Sequence, residues 1–216
     1  MQDLIERIKK YNETFDEYKE ENQSNKSFEI IEGKIPVLIS APHSVRQIRN
    51  GKIKGKDMLT GAIVKEITRR TSCWGIYKTR NNNDDASYDI ENNNYFEKAL
   101  QIMKENNVKM FLDIHGAKDN EEFDIDIGTS NKENLNGRED VLKKIIDIFN
   151  KNGIQNIGID QKFKANTMHT LTKKIALNVN IPCMQIEITK KYRDLDQINN
   201  LEKVLNAITE SVGLYQ

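Results

Sequence analysis

An excess of charge of either sign is missing from this 216-residue sequence: 33 lysines and arginines face 33 aspartates and glutamates, and the net charge is zero. A chain with no basic footprint is not expected to have nucleic acid as its main partner. Cysteine is scarce, with only Cys73 and Cys183, neither in a CxxC pair. A disulfide framework needs more cysteines and a secreted context, so both read as inert core thiols. No apolar run approaches the roughly 18 residues of a membrane span, and the acidic, amphipathic start is unlike a signal peptide. The expectation is a cytoplasmic protein with no membrane partner. Histidine is also scarce, at three, so the place of each one is informative.

What the sequence does contain is periodic apolar patterning. Leu4, Ile5, Ile8, Tyr11, Phe15 and Tyr18 recur at helical spacing and predict an amphipathic helix over 2–21. A short strand at 28–31 is followed by the continuous apolar run 37–40, which reads as a central strand covered on both faces. A helix is expected at 57–70, with Asp57 where an N-cap belongs. Then come strand 74–79, a polar run from Arg80 to Tyr88, helix 92–106 and a strand ending at His115. The alternation at 123–127 predicts a half-exposed or edge strand. Helix 138–152, strand 154–159, helix 167–179, a strand ending at Glu187 and helix 194–212 complete the chain. Strands alternating with helices predict a three-layer α/β/α sandwich with a mostly parallel, mixed sheet, forming one domain over 1–216 with 1–26 as a helical lead-in.

In such sheets functional groups collect beyond the carboxyl ends of the strands, where His43, His115 and Glu187 fall. His43 follows Pro42 at a strand exit and reads either as a metal ligand or as a surface-loop histidine. Asp113 and His115 are two apart on a strand and project to the same side. That carboxylate can set the tautomer of the imidazole, or it can be a buried structural group bound to a backbone amide. Glutamate is rarely buried unless paired. Glu187 therefore reads as a general base or as a strand-end partner of Lys190 or Arg193. His169 opens a helix and is either a substrate contact or part of a cap. The run 81–94 has the composition of a solvated loop containing a small ordered island at Tyr88, Asp89 and Ile90. Lys52, Lys54 and Lys56 read as a solvated face. Two histidines, a third oxygen ligand and a distant glutamate match a catalytic zinc site with one open position.

The ordered motifs Pro-Val-Leu-Ile-Ser-Ala-Pro-His43-Ser44, Lys-Asp57-Met-Leu-Thr60, Leu-Asp113-Ile-His115-Gly116, Phe-Asp-Ile-Asp-Ile-Gly128-Thr129 and Met-Gln185-Ile-Glu187-Ile resemble those of the N-formylglutamate amidohydrolase family. The resemblance runs from about 36 to 194. It implies the zinc-exopeptidase fold of carboxypeptidases, with His43 and His115 holding Zn2+ and Glu187 activating a water. Carboxypeptidase-type sites carry a glutamate ligand three residues after the first histidine, where this chain has Arg46. Asp57, in the family's Asp-x-x-Thr element, is the ligand the resemblance suggests, in competition with its reading as a helix cap. Relatives also hold the substrate's carboxylate with an Asp-Leu-Asn-Arg element, matched here by Asp89-Ile90-Glu91-Asn92, which lacks the arginine. Arg46, Arg49, Arg80 or Arg193 can substitute, with His169 beside them as a substrate contact and Asp89 and Asp113 as supports behind the ligands.

The function this implies is zinc-dependent hydrolysis of an amide bond in an N-acyl amino acid, N-formylglutamate-like, or in a short acidic peptide. A cell-wall or poly-glutamate peptide hydrolase is the alternative within the class. A non-catalytic binding protein on a degenerate hydrolase fold is the alternative outside it.

Overall fold

The computed structural model describes residues 1–15, 26–119 and 121–216. A seven-stranded sheet forms its middle, built from β1 (Phe28–Ile31), β2 (Ile35–Ala41), β5 (Cys73–Lys78), β6 (Met110–Ala117), β7 (Ile125–Gly128), β8 (Ile157–Ile159) and β9 (Cys183–Thr189) in the order β1-β5-β2-β6-β9-β7-β8. The sheet is mixed and mostly parallel; the β1–β5 and β7–β9 pairs are antiparallel. A separate two-stranded hairpin pairs β3 (Gln47–Arg49) with β4 (Lys52–Lys54).

Strand alternation builds two cores, one on each face of the sheet. Val37, Ile39 and Ala41 of β2 face a core that also holds Leu4 and Ile8 of α1 (Gln2–Glu13), Ile63 and Ile67 of α2 (Thr60–Thr71), Ile145 and Phe149 of α4 (Glu139–Lys151) and Leu205 and Ile208 of α6 (Ile198–Val212). Leu38 and Phe111 turn the other way, toward Ala99 and Ile102 of α3 (Asn94–Glu105) and Ile175 of α5 (Leu171–Ala176). The result is the expected three-layer α/β/α arrangement. Cys73 and Cys183 are buried and unpaired, and burial raises both thiol pKa values, as an inert core role requires. Among the described residues no helix is long and apolar enough to cross a membrane.

Several elements depart from the patterning. The stretch expected at 123–127 to be half-exposed is instead a fully buried strand, β7, paired on both sides. Its acidic residues misled the alternation, because their partners are local: the Asp126 carboxylate accepts from the backbone N–H groups of Gln161, Lys162 and Phe163 at 3.1, 2.9 and 2.8 Å. The helix expected at 167–179 shortens to α5, since 167–170 form a turn that carries His169 over the sheet's edge. The helix expected at 57–70 begins only at Thr60, and Asp57 lies in the preceding turn with its side chain aimed elsewhere. The helix expected over 2–21 is seen as α1; its continuation, Tyr18 included, lies outside the described residues. The β3–β4 hairpin has no counterpart in the sequence reading.

Candidate metal centre

Three adjacent parallel strands, β2, β6 and β9, end side by side, and the register pairs His115 with Glu187 and Asp113 with Gln185. His43 emerges two residues beyond β2. Its backbone carbonyl accepts from the Asp57 N–H at 2.8 Å, which fixes the turn before α2 against the β2 exit. Asp57 Oδ2 then accepts from the Gly116 N–H at 3.1 Å. One carboxylate is thus anchored between two strand ends, 3.5 Å from His43 Nδ1 and 3.4 Å from His115 Nδ1. His43, Asp57 and His115 form a group able to hold a metal ion, their ligand atoms lying within 4.8 Å of one another.

The far side of each imidazole is tied down. His43 Nε2 lies 2.8 Å from Asp85 Oδ1, and His115 Nε2 lies 3.2 Å from Asp113 Oδ2. An ionised carboxylate only accepts, so in the neutral rings Nε2 carries the hydrogen and Nδ1 presents a lone pair toward Asp57. Two imidazole lone pairs and a carboxylate converging on one point are three acceptors in need of a cation. The donor set therefore fits a divalent metal with nitrogen and oxygen preference. Without a metal, protons supply the charge. Burial disfavours the imidazolium of both rings, yet hydrogen bonds and nearby carboxylates outweigh it. His43 is raised by Asp57 and Asp85, and His115 well raised by Asp113 and Asp57. Burial likewise opposes ionisation of Asp57, and its two histidine partners hold its pKa well below the ordinary range.

Glu187 stands next to the cluster at 5% exposure, and burial pushes its carboxyl up to about 7, the His115 and Asp57 charges acting in opposite senses. Gln185 Nε2 donates to Glu187 Oε1 at 2.9 Å. The group opens into a cavity of about 250 Å³ whose walls include Arg49, His169, Gln185 and Glu187. This arrangement can bind a cation and, beside it, give or take a proton near neutral pH.

The remaining expected residues are distributed unevenly. His169 is exposed at the cavity wall, stacked on Tyr88 at 4.1 Å and hydrogen-bonded from Nδ1 to the Tyr88 carbonyl at 3.0 Å. Arg193 is buried just beneath, but its Nε donates to the Ile188 carbonyl at 2.8 Å and its terminal nitrogens to the Met58 and Ala117 carbonyls. It ties the ends of β6 and β9 to the turn before α2. Gly116 is required for this crossing, since a Cβ there would meet Arg193 Cζ at 2.5 Å. Arg46 is half-buried and Arg80 exposed, and neither lines the cavity. Arg49 does. Its Nε and Nη2 both reach Asp85 Oδ2 at 2.8 Å, and its guanidinium lies 4.7 Å over the Tyr88 ring.

Of the two supporting carboxylates expected, Asp113 touches a histidine and Asp89 does not. Asp89 Oδ2 accepts from the Asp85 N–H at 2.7 Å, one link further out. The group against His43 is Asp85, wholly buried, which also accepts from the Ser87 and Tyr88 N–H groups. Nothing in the polar run 81–94 distinguishes this aspartate from its neighbours. The loop expected to be solvated is in this stretch part of the interior.

No family model and no curated protein sequence matches this chain. Solved structures do. A bacteriophage poly-gamma-glutamate hydrolase superimposes with a TM-score of 0.55 at 15% identity, over 89% of this chain and 91% of the other. N-formylglutamate amidohydrolase from Ralstonia eutropha JMP134 gives 0.61 at 12% identity, over 87% and 98%. A metallo-carboxypeptidase from Burkholderia cenocepacia gives 0.55 at 13%, over 94% and 71%. At these identities the likeness establishes a shared fold, the one that the sequence motifs implied.

Proposed function

We propose that the protein is a zinc-dependent amidohydrolase that cleaves the amide bond of an N-acyl amino acid, N-formylglutamate-like, or of a short acidic peptide. One observation carries the reading: two histidines, each braced by a carboxylate behind it, turn their Nδ1 atoms onto Asp57 beside a buried glutamate of near-neutral pKa. The hydrolases among the structures sharing this fold support it. His43, Asp57 and His115 would hold the ion. When bound there, zinc would supply Lewis acidity for an amide carbonyl and a more acidic water. Glu187 takes a proton from the attacking water and passes it to the departing nitrogen, and Gln185 orients it. Arg49, held by Asp85 and Tyr88, is the arginine placed to receive a substrate carboxylate. Two unpaired thiols suit a reducing compartment, and we place the enzyme in the cytoplasm.

Elemental analysis of purified protein is the test. About one zinc per chain is expected from the one-site geometry, together with release of formate from N-formyl-L-glutamate or of glutamate from a short glutamyl peptide. His115→Ala should lose the metal. Full metal content in that variant would move the site elsewhere, and a metal-free, inactive wild type would favour a binding protein.

A further inference from the structure

The β3–β4 hairpin stands outside the main sheet; its Arg49 supports the cluster through Asp85, while Lys52 and Lys54 are exposed. Between residues 46 and 56 there are five basic side chains, Arg46, Arg49, Lys52, Lys54 and Lys56, and no acidic one, in a chain whose total charge is zero. The register pairs Gln47 with Lys54, Ile48 with Ile53 and Arg49 with Lys52. Directly opposed residues of an antiparallel pair share a face, as do residues two apart on one strand. Gln47, Arg49, Lys52 and Lys54 thus lie on one face, and Ile48 and Ile53 on the other.

Which face meets the site is settled by two of these residues. Gln47 Nε2 donates to the His43 carbonyl at 3.4 Å, and Arg49 lines the cavity. The exposed Lys52 and Lys54 therefore continue the cavity wall outward, about 7 Å apart by strand geometry.

Three acids of the facing loop are already engaged within it or with its neighbours, and the fourth, Glu91, is exposed. Asp84 is bound by Lys78 at 2.7 Å, Asp85 by Arg49 and His43, and the Asp89 carboxylate by the Asp85 N–H. A one-sided field at the mouth of a cleft draws and holds the opposite charge.

We infer that this hairpin face is an outer subsite for a chain bearing repeated carboxylates, so that the substrate is an oligomeric polyanion extending from the cavity. The inference rests on the reading of the cavity as the hydrolytic site. Carboxylate is favoured over phosphate because the row begins at Arg49, beside groups suited to amide hydrolysis, and the chain carries no net positive charge.

The test is binding, measured without turnover. Zinc-loaded protein carrying Glu187→Gln is titrated with fluorescein-labelled oligo-L-glutamates of one, three and six residues, α- and γ-linked, at low and high salt. Affinity should rise with length in at least one series, about three- to tenfold from two exposed ion pairs, and salt should remove the gain. Adding Lys52→Glu and Lys54→Glu should abolish the gain while leaving the one-residue affinity unchanged. Length-independent binding in both series, an undiminished gain in the lysine variant, an equal gain with oligo-glutamine, or tighter binding of a charge-matched oligonucleotide would each overturn the subsite. Failure of the hydrolase reading looks different: the wild type cleaves no amide although length-dependent binding persists.

Discussion

A carboxyl group with a pKa near 7, buried between an imidazole and a side-chain amide, can accept and return a proton at neutral pH. Replacing it by an amide of the same shape removes that ability and little else. In Glu187→Gln, turnover should fall by roughly 10²–10⁴, while zinc content and melting temperature stay at wild-type values. A small loss of rate with normal metal would put the base elsewhere; loss of metal would make Glu187 a ligand. At the scale of single residues, His43, His115, Asp113 and Glu187 were legible because each stands at the end of an apolar run where a polar group needs a reason. Asp57 was ambiguous because aspartate ahead of a helix is also the commonest kind of cap. Only the Gly116 N–H and the two imidazoles at its carboxylate separate the readings. Asp85 was invisible, one acid among many in a polar run. Arg193, read in the sequence as a substrate contact, donates to three backbone carbonyls and does not line the cavity.

Elements were read well where both faces are buried and poorly where polar groups find local partners. Strand β2 announces itself by a continuous apolar run, and β6 and β9 by apolar stretches interrupted by Asp113, His115, Gln185 and Glu187. The β3–β4 hairpin is short, charged and held by loop contacts such as Arg49 to Asp85, so no periodicity marks it. Helix α2 buries a charge that its pattern also fails to explain. Glu66 is fully buried and accepts from Arg69, Arg70 and Arg7 at 2.8, 2.9 and 3.4 Å. Burial alone would raise its pKa, but these guanidiniums bring it down to about 2, from 4.5. A folded-state pKa below the unfolded one means stabilisation that is present above about 4.5 and lost as pH falls toward 2. Urea unfolding of wild type and Glu66→Gln should therefore show a gap at pH 5 that narrows steadily as pH falls toward 2. A gap independent of pH would mean that packing, not ionisation, is what the residue supplies.

For the whole molecule, a metal that binds only the folded chain must stabilise it. With free zinc at a hundred times Kd the gain is about 2.7 kcal/mol, or about 5–10 °C in melting temperature at this size. Chelation should reverse the shift, and His115→Ala should show none; a wild type indifferent to zinc would remove the ion from the fold's energetics. The three-layer architecture was readable from the alternation of elements, while the order of strands was not, since periodicity carries no information about neighbours. That order has a consequence for how the sheet holds together. Strands β5, β2 and β6 adjoin one another, with His43 just beyond β2, His115 on β6 and Asp57 between them in sequence, whereas β9 comes later in the chain and lies between β6 and β7. The three groups that could hold a metal thus all precede Glu187 in the sequence. On the proposed reading, the strand that brings the base is also the one that joins β7 and β8 to the rest of the sheet.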